Sequence, residues 1–221
     1  MSMKKIFLFI VISNCIFSLN LNSQILDCKK SFVTTIGSGQ IDEANQFLSY
    51  QEGFLVSGTS NSKFILMHIE ENGEINWSYE MDIFEGKTER ATNMLLDGEN
   101  VVIAGNSDVT NGVVQNFILK FNLITNSLIW SRVYSGVPFS TSYFTGVLNN
   151  EFEDSYFVLG QTQENSSPGL GCDALWLKVN KNTGSVIGAK NLNLGSCETY
   201  TSSIISTDGY IISAGRYFYT C

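Results

Sequence analysis

An all-β fold, and within that class a partial β-propeller, is predicted by three features of the sequence. A hairpin-shaped segment recurs as FILMHIEENGEINW over 64–77, FILKFNLITNSLIW over 117–130 and LWLKVNKNTGSVIG over 175–188. A short apolar strand ending in glycine recurs ahead of it, closing at Gly58, Gly105, Gly160 and Gly215. The two patterns alternate, so one unit of about 50 residues holds four short strands, which is the size and make-up of a propeller blade.

Each element follows from its residues. The first run of the hairpin is too short for a helix and is dominated by Phe, Ile, Leu and Val, which suit a largely buried strand. The turns Glu71-Asn72-Gly73, Thr125-Asn126-Ser127 and Asn182-Thr183-Gly184 put Gly or Asn at one offset, where a tight hairpin needs a residue tolerant of positive φ. The returning strand carries Trp77, Trp130 and, in the third copy, Gly188; the two tryptophans read as core residues between blades.

A second hairpin precedes each of these. Its outgoing strands are Phe54–Gly58, Val101–Gly105, Tyr156–Gly160 and Tyr210–Gly215, and its incoming runs are Asn45–Tyr50, Thr92–Leu96, Tyr143–Leu148 and Thr201–Ile205. One four-stranded sheet cannot bury both faces alone; stacking against neighbours around an axis does so. The expected blades span about 30–81, 91–134 and 142–192, with an incomplete one over 199–221, all within a propeller region 24–221. Lys30–Thr35 stands where Trp77–Met81 stands in the next unit, as the end of a blade. Three full four-stranded antiparallel blades plus parts of others do not close a ring, so the expectation is a truncated piece of a larger propeller, six to eight blades being the usual size.

Residues 1–23 read as a secretory signal: Lys4 and Lys5, then the apolar run Ile6–Ile12, broken by Ser13 and Asn14 and too short for a membrane span. Cleavage is expected near Ser23, and Asn14 makes Cys15 a poor lipoprotein cysteine. The localisation expected is secreted or cell-surface. The chain has 13 Lys and Arg against 21 Asp and Glu, and cleavage removes two of the lysines. That acidity argues against nucleic acid as a partner, since phosphate binding needs clustered cations. In an exported protein the remaining cysteines, Cys28, Cys172, Cys197 and Cys221, allow three pairings; the preferred one is Cys172–Cys197.

Connection lengths separate into two sets. The hairpin turns inside the first and last strand pairs are short and uniform, whereas the others vary and emerge together at one face of an up-and-down blade. Length variation at one face marks a candidate binding surface, because function sits on loops carried by a rigid frame. Asp108, Asn111, Tyr134, Glu164 and Asn165 are its candidate residues.

Candidate chemistry is sparse. His68 is the only histidine; in a gap-free alignment of the copies it falls where the others have Phe121 and Val179, which reads as packing or a rim contact. It has no second imidazole for a metal site and no GxSxG elbow to accompany it. The loop with Asp108, Thr110 and Asn111 lacks the spacing of a calcium loop. A glycosidase would need two facing carboxylates; Asp82, Glu85, Glu89, Asp108, Glu164, Asp173 and Glu198 are placed in the variable connections. No catalytic or metal-ligating set is assigned, and no cofactor is expected.

The strands of form LxKxxxxTG, best matched at Leu177-Lys178-Val179-Asn180 through Thr183-Gly184 and at Asn126 through Trp130, resemble the secreted propeller repeats of bacterial exported proteins, especially those of the Bacteroidetes. The same segments are similar to the tryptophan-docking repeat of pyrroloquinoline quinone enzymes. They depart from it: its Ala position holds Met67, Lys120 and Lys178, its Asp position holds Ile69, Asn122 and Asn180, and the third Trp is Gly188. The resemblance implies docking of blade to blade, not quinone binding, and the adjacent cysteine pair of those dehydrogenases is missing. The role expected is a binding or surface-interaction scaffold for an extracellular protein or glycan, monomeric once the ring is complete. The competing role is a polysaccharide hydrolase or lyase with a carboxylate site on the variable face.

Overall fold

The computed structural model describes residues 42–107, 114–134, 142–163, 172–192 and 197–218. These form 14 strands and no helix. The first sheet is β1 (Asp42–Tyr50), β2 (Gly53–Ser60), β3 (Lys63–Glu70) and β4 (Ile75–Met81); the second is β5 (Glu89–Asp97), β6 (Asn100–Ser107), β7 (Asn116–Asn122) and β8 (Ser127–Tyr134). The third is β9 (Ser142–Asn150), β10 (Ser155–Gln163), β11 (Cys172–Asn180) and β12 (Val186–Leu192), and β13 (Cys197–Ile205) pairs with β14 (Ile211–Phe218). Within each sheet the strands lie in sequence order and every pairing is antiparallel. The first strands of successive sheets lie against one another, β1 on β5, β5 on β9 and β9 on β13. The described residues are therefore three complete propeller blades and half of a fourth, arranged about a common inner edge.

The side-chain alternation of each central strand divides its residues between two neighbours. Toward the second blade, the first blade turns Leu55, Phe64 and Leu66. They meet Val101, Ile103, Phe117, Leu119 and Phe121 in one buried cluster. The opposite face of the second blade, with Val102, Ala104 and Ile118, meets Phe144, Val147, Tyr156, Val158, Leu175 and Leu177 of the third. Because both faces of β6, β7 and β11 are covered, these strands read as continuous apolar runs rather than strict alternations.

The recurrent glycines have a common cause. In every blade the innermost strand carries a β-bulge, between Ala44 and Gln46, Ala91 and Asn93, Phe144 and Gly146, and Tyr200 and Ser202. Gly58, Gly105, Gly160 and Gly215 pair with the residue at which that bulge begins. A bulge pushes the strand backbone toward its partner: a Cβ on Gly58, Gly105 or Gly160 would lie 2.1 Å from the Glu43 carbonyl oxygen, 2.4 Å from that of Arg90 or 2.4 Å from that of Tyr143.

A second bulge, between the third and fourth strands, sets the tryptophans. Trp77 pairs with His68, Trp130 with Lys120 and Gly188 with Lys178. This overturns the gap-free alignment: His68 stands in the position of Lys120 and Lys178, not of Phe121 and Val179. The reason lies in the turns. In the second and third blades the Asn122 and Asn180 side-chain oxygens accept hydrogen bonds from the backbone N–H groups two and three residues on, at 2.7–3.1 Å. They thereby organise four-residue turns in which Asn126 and Gly184 take positive φ. In the first blade the register puts Glu70, whose side chain is one carbon longer, in that place. The first blade closes a shorter turn instead, with the Glu70 amide donating to the Glu74 carbonyl at 2.9 Å and Gly73 at φ 88°.

Candidate functional site

The expected binding-face residues Asp108, Asn111, Glu164 and Asn165 lie outside the described residues, as do the signal segment and Lys30–Thr35. Tyr134 is described and is not a loop residue: it ends β8, is buried, and its hydroxyl donates to the Gly184 carbonyl of the third blade at 2.5 Å. Burial pushes its phenol well above the ordinary range, with Arg132 acting weakly the other way. Cys172 opens β11 and is disulfide-bonded; the side chain of Cys197 lies outside the described residues.

Three of the carboxylates assigned to variable connections are strand residues, Glu198 among them in β13. Asp173 is a buried residue of β11. Glu89 opens β5 with no exposed surface. Its carboxylate accepts hydrogen bonds from the backbone amides of Phe64 at 2.8 Å and of Ile83 and Phe84, both at 2.7 Å. Thr59 donates to its carbonyl. Burial raises the Glu89 carboxyl and those three donors work against it. A group so engaged ties the link between the first two blades and is not presented to a substrate. The next junction uses the opposite arrangement: the Asn116 side chain reaches to Ser142 at 2.7–2.9 Å and accepts from the Phe144 amide at 3.0 Å.

Tryptophan docking is realised between the second and third blades. The Trp130 indole donates to the Lys181 carbonyl at 3.1 Å, and Arg132 donates to Thr183 at 2.9 Å. Trp130 packs so closely on the Gly184 turn that a Cβ there would lie 2.7 Å from its ring. Trp77 is half-buried and stacks on Phe121 with ring centroids 6.0 Å apart. Trp176 meets Tyr200 of the fourth blade at 5.9 Å.

Where chemistry concentrates among the described residues is the end of the blades bearing the β1–β2 and β3–β4 turns, opposite to the variable connections. A cavity of about 570 Å³ opens there, lined by His68 with Glu52, Glu70, Glu71, Asn72 and Asn76. His68 is 4% exposed, its ring meets Tyr50 edge-on at 5.6 Å and Trp77 at 6.0 Å, and its Nε2 is buried with no hydrogen-bond partner among the described residues. The equivalent positions of the other blades are filled from within. Lys120 reaches Asp97 at 3.0 Å beside the Tyr156 ring, and Lys178 pairs with Glu153. Tyr156 adds a 2.5 Å hydrogen bond to Asp97. Burial works to raise Asp97, but the bonds from Tyr156 and Lys120 together hold it below its usual range. A further cavity of about 140 Å³ lies among the inner strands, between Asn93, Gly146, Leu159, Tyr200 and Ser203.

No protein-family model and no curated protein matches the chain. Among solved structures it is similar to a quinohemoprotein alcohol dehydrogenase from Comamonas testosteroni, with a TM-score of 0.48 and 12% identity, covering 78% of this chain and 32% of that chain. Among the described residues no helix is long and apolar enough to cross a membrane.

Proposed function

We propose that this chain belongs to an exported β-propeller that serves as a binding scaffold for an extracellular protein or glycan. The observation that carries the reading is the contrast between frame and connections. The blades repeat the same bulges, the same glycine positions and the same docking side, so the frame is fixed by packing. Sequence and length variation is concentrated in the connections at one end, 108–115, 135–141, 164–171 and 193–196, which is where a repeat array carries its recognition residues. The apolar opening of residues 1–23 supports export. The test is binding of the full-length protein to glycan and extracellular-protein arrays, run beside a polysaccharide hydrolysis assay. Saturable binding without product release supports the scaffold; product release abolished by removing a pair of carboxylates in those connections would replace it with the hydrolase.

A further inference from the structure

At the place of Lys120 and Lys178 the first blade differs from its two neighbours, and the difference leaves a site. In the second and third blades the third strand sends a lysine toward the turn between the first two strands, where an acid receives it: Lys120 to Asp97, Lys178 to Glu153. The register puts His68 in that place in the first blade, opposite Leu55 as Lys120 is opposite Val102 and Lys178 opposite Phe157. The acid remains, as Glu52 in the β1–β2 turn, and two more carboxylates, Glu70 and Glu71, come from the end of β3 and the turn after it. Beside the shorter imidazole opens the cavity of about 570 Å³, several times the volume of one lysine side chain. At its wall, the buried Nε2 of His68 has no hydrogen-bond partner among the described residues.

We propose that this pocket takes an alkylammonium group from outside the chain, in the place that the neighbouring blades fill with their own lysine. The ammonium presents N–H donors and one positive charge. The carboxylates of Glu52 and Glu70 neutralise the charge, and His68 Nε2 accepts one N–H in its neutral tautomer. The same chemistry is carried by a small primary amine or by a lysine side chain of a partner protein. The site lies at the opposite end of the blades from the variable connections, so its existence does not rest on the scaffold reading above.

His68 is the only histidine, so its imidazole resonances in the full chain report this site alone. n-Butylammonium is expected to move them saturably, while n-butanol, and sodium chloride at equal ionic strength, do not. Glu52→Gln, an exposed turn substitution that leaves the blade core untouched, is expected to weaken the response by several-fold. His68→Lys is expected to restore the internal pair, raise the melting temperature and abolish the amine-dependent rise in melting temperature seen for the native chain. A peptide with one free lysine, run beside its acetylated form, separates the sources: tighter binding than n-butylammonium assigns a partner's lysine, weaker binding a free amine. No saturable shift, an equal shift with sodium chloride, a response to zinc but not to the amine, or an undiminished response in Glu52→Gln overturns the proposal.

Discussion

The indole of Trp130 occupies the space that any side chain at residue 184 would need. A Cβ on Gly184 would lie 2.7 Å from the Trp130 ring and 2.8 Å from Arg132 Cγ, and the backbone there is at φ 68°. Gly184→Ala therefore strains the turn and displaces the docked ring together. It should lower stability by about 2–4 kcal/mol, and Trp130→Ala should cost about 3–5 kcal/mol. Because each substitution damages the same contact, the double variant should lose clearly less than the sum in denaturant melts. Additive losses would separate the two residues.

Gly105, opposite an inner bulge, and Gly146, on a bulged inner strand, make a contrasting pair. Gly105→Ala drives a methyl to 2.4 Å from the Arg90 carbonyl oxygen and 2.3 Å from the Phe117 ring. Gly146→Ala, in the neighbouring blade, meets nothing closer than Leu159 at 3.5 Å. The first should cost about 2–4 kcal/mol and the second under about 1 kcal/mol, read as midpoints in urea.

Glu89→Gln should cost about 1–3 kcal/mol. Three backbone amides donate to this carboxylate, and a carboxamide has a single acceptor oxygen and turns an N–H toward a donor. Its pH signature is distinctive. The folded carboxyl titrates above its unfolded value, so the folded state holds the extra proton in the window between the two. Stability contributed there falls as pH rises from about 4.3 through the folded value. The slope should vanish in Glu89→Gln.

Asp97 has the opposite sign. Its folded carboxyl titrates below its unfolded value. The stability it adds is present above about 3.9 and is lost as pH falls through the folded value. Asp97→Asn leaves the Lys120 ammonium without its anion and should cost about 1–3 kcal/mol at neutral pH, with a shallower loss toward acid. Melting temperatures of both proteins from pH 7 to pH 3 check this.

The frame was legible in the sequence because strand count, turn chemistry and the closing glycines all repeat with the blade. The register was not. The first copy spends one residue more in its strand pairing and one fewer in its turn, so Trp77 follows Phe64 at the same distance as Trp130 follows Phe117. The clue was present at Glu70, an acid where the other blades have the turn-building Asn122 and Asn180. Missing it placed His68 among packing residues and hid its kinship with Lys120 and Lys178. Tyr134 and Glu89 were misplaced for a related reason: polar residues at strand ends look like loop residues until the neighbouring blade supplies their partners. Connections of varying length carry no period, so the sequence gives no register by which to place Asp108 or Glu164.

The central claim is that successive sheets stack face to face, the second docking through Trp130 on the turn of the third. Nuclear Overhauser contacts of the Trp130 indole N–H test it most directly. The account predicts contacts to the Lys181–Gly184 turn. Their absence, with backbone contacts instead joining the strands of 64–81 to those of 117–134 in one continuous sheet, would contradict it.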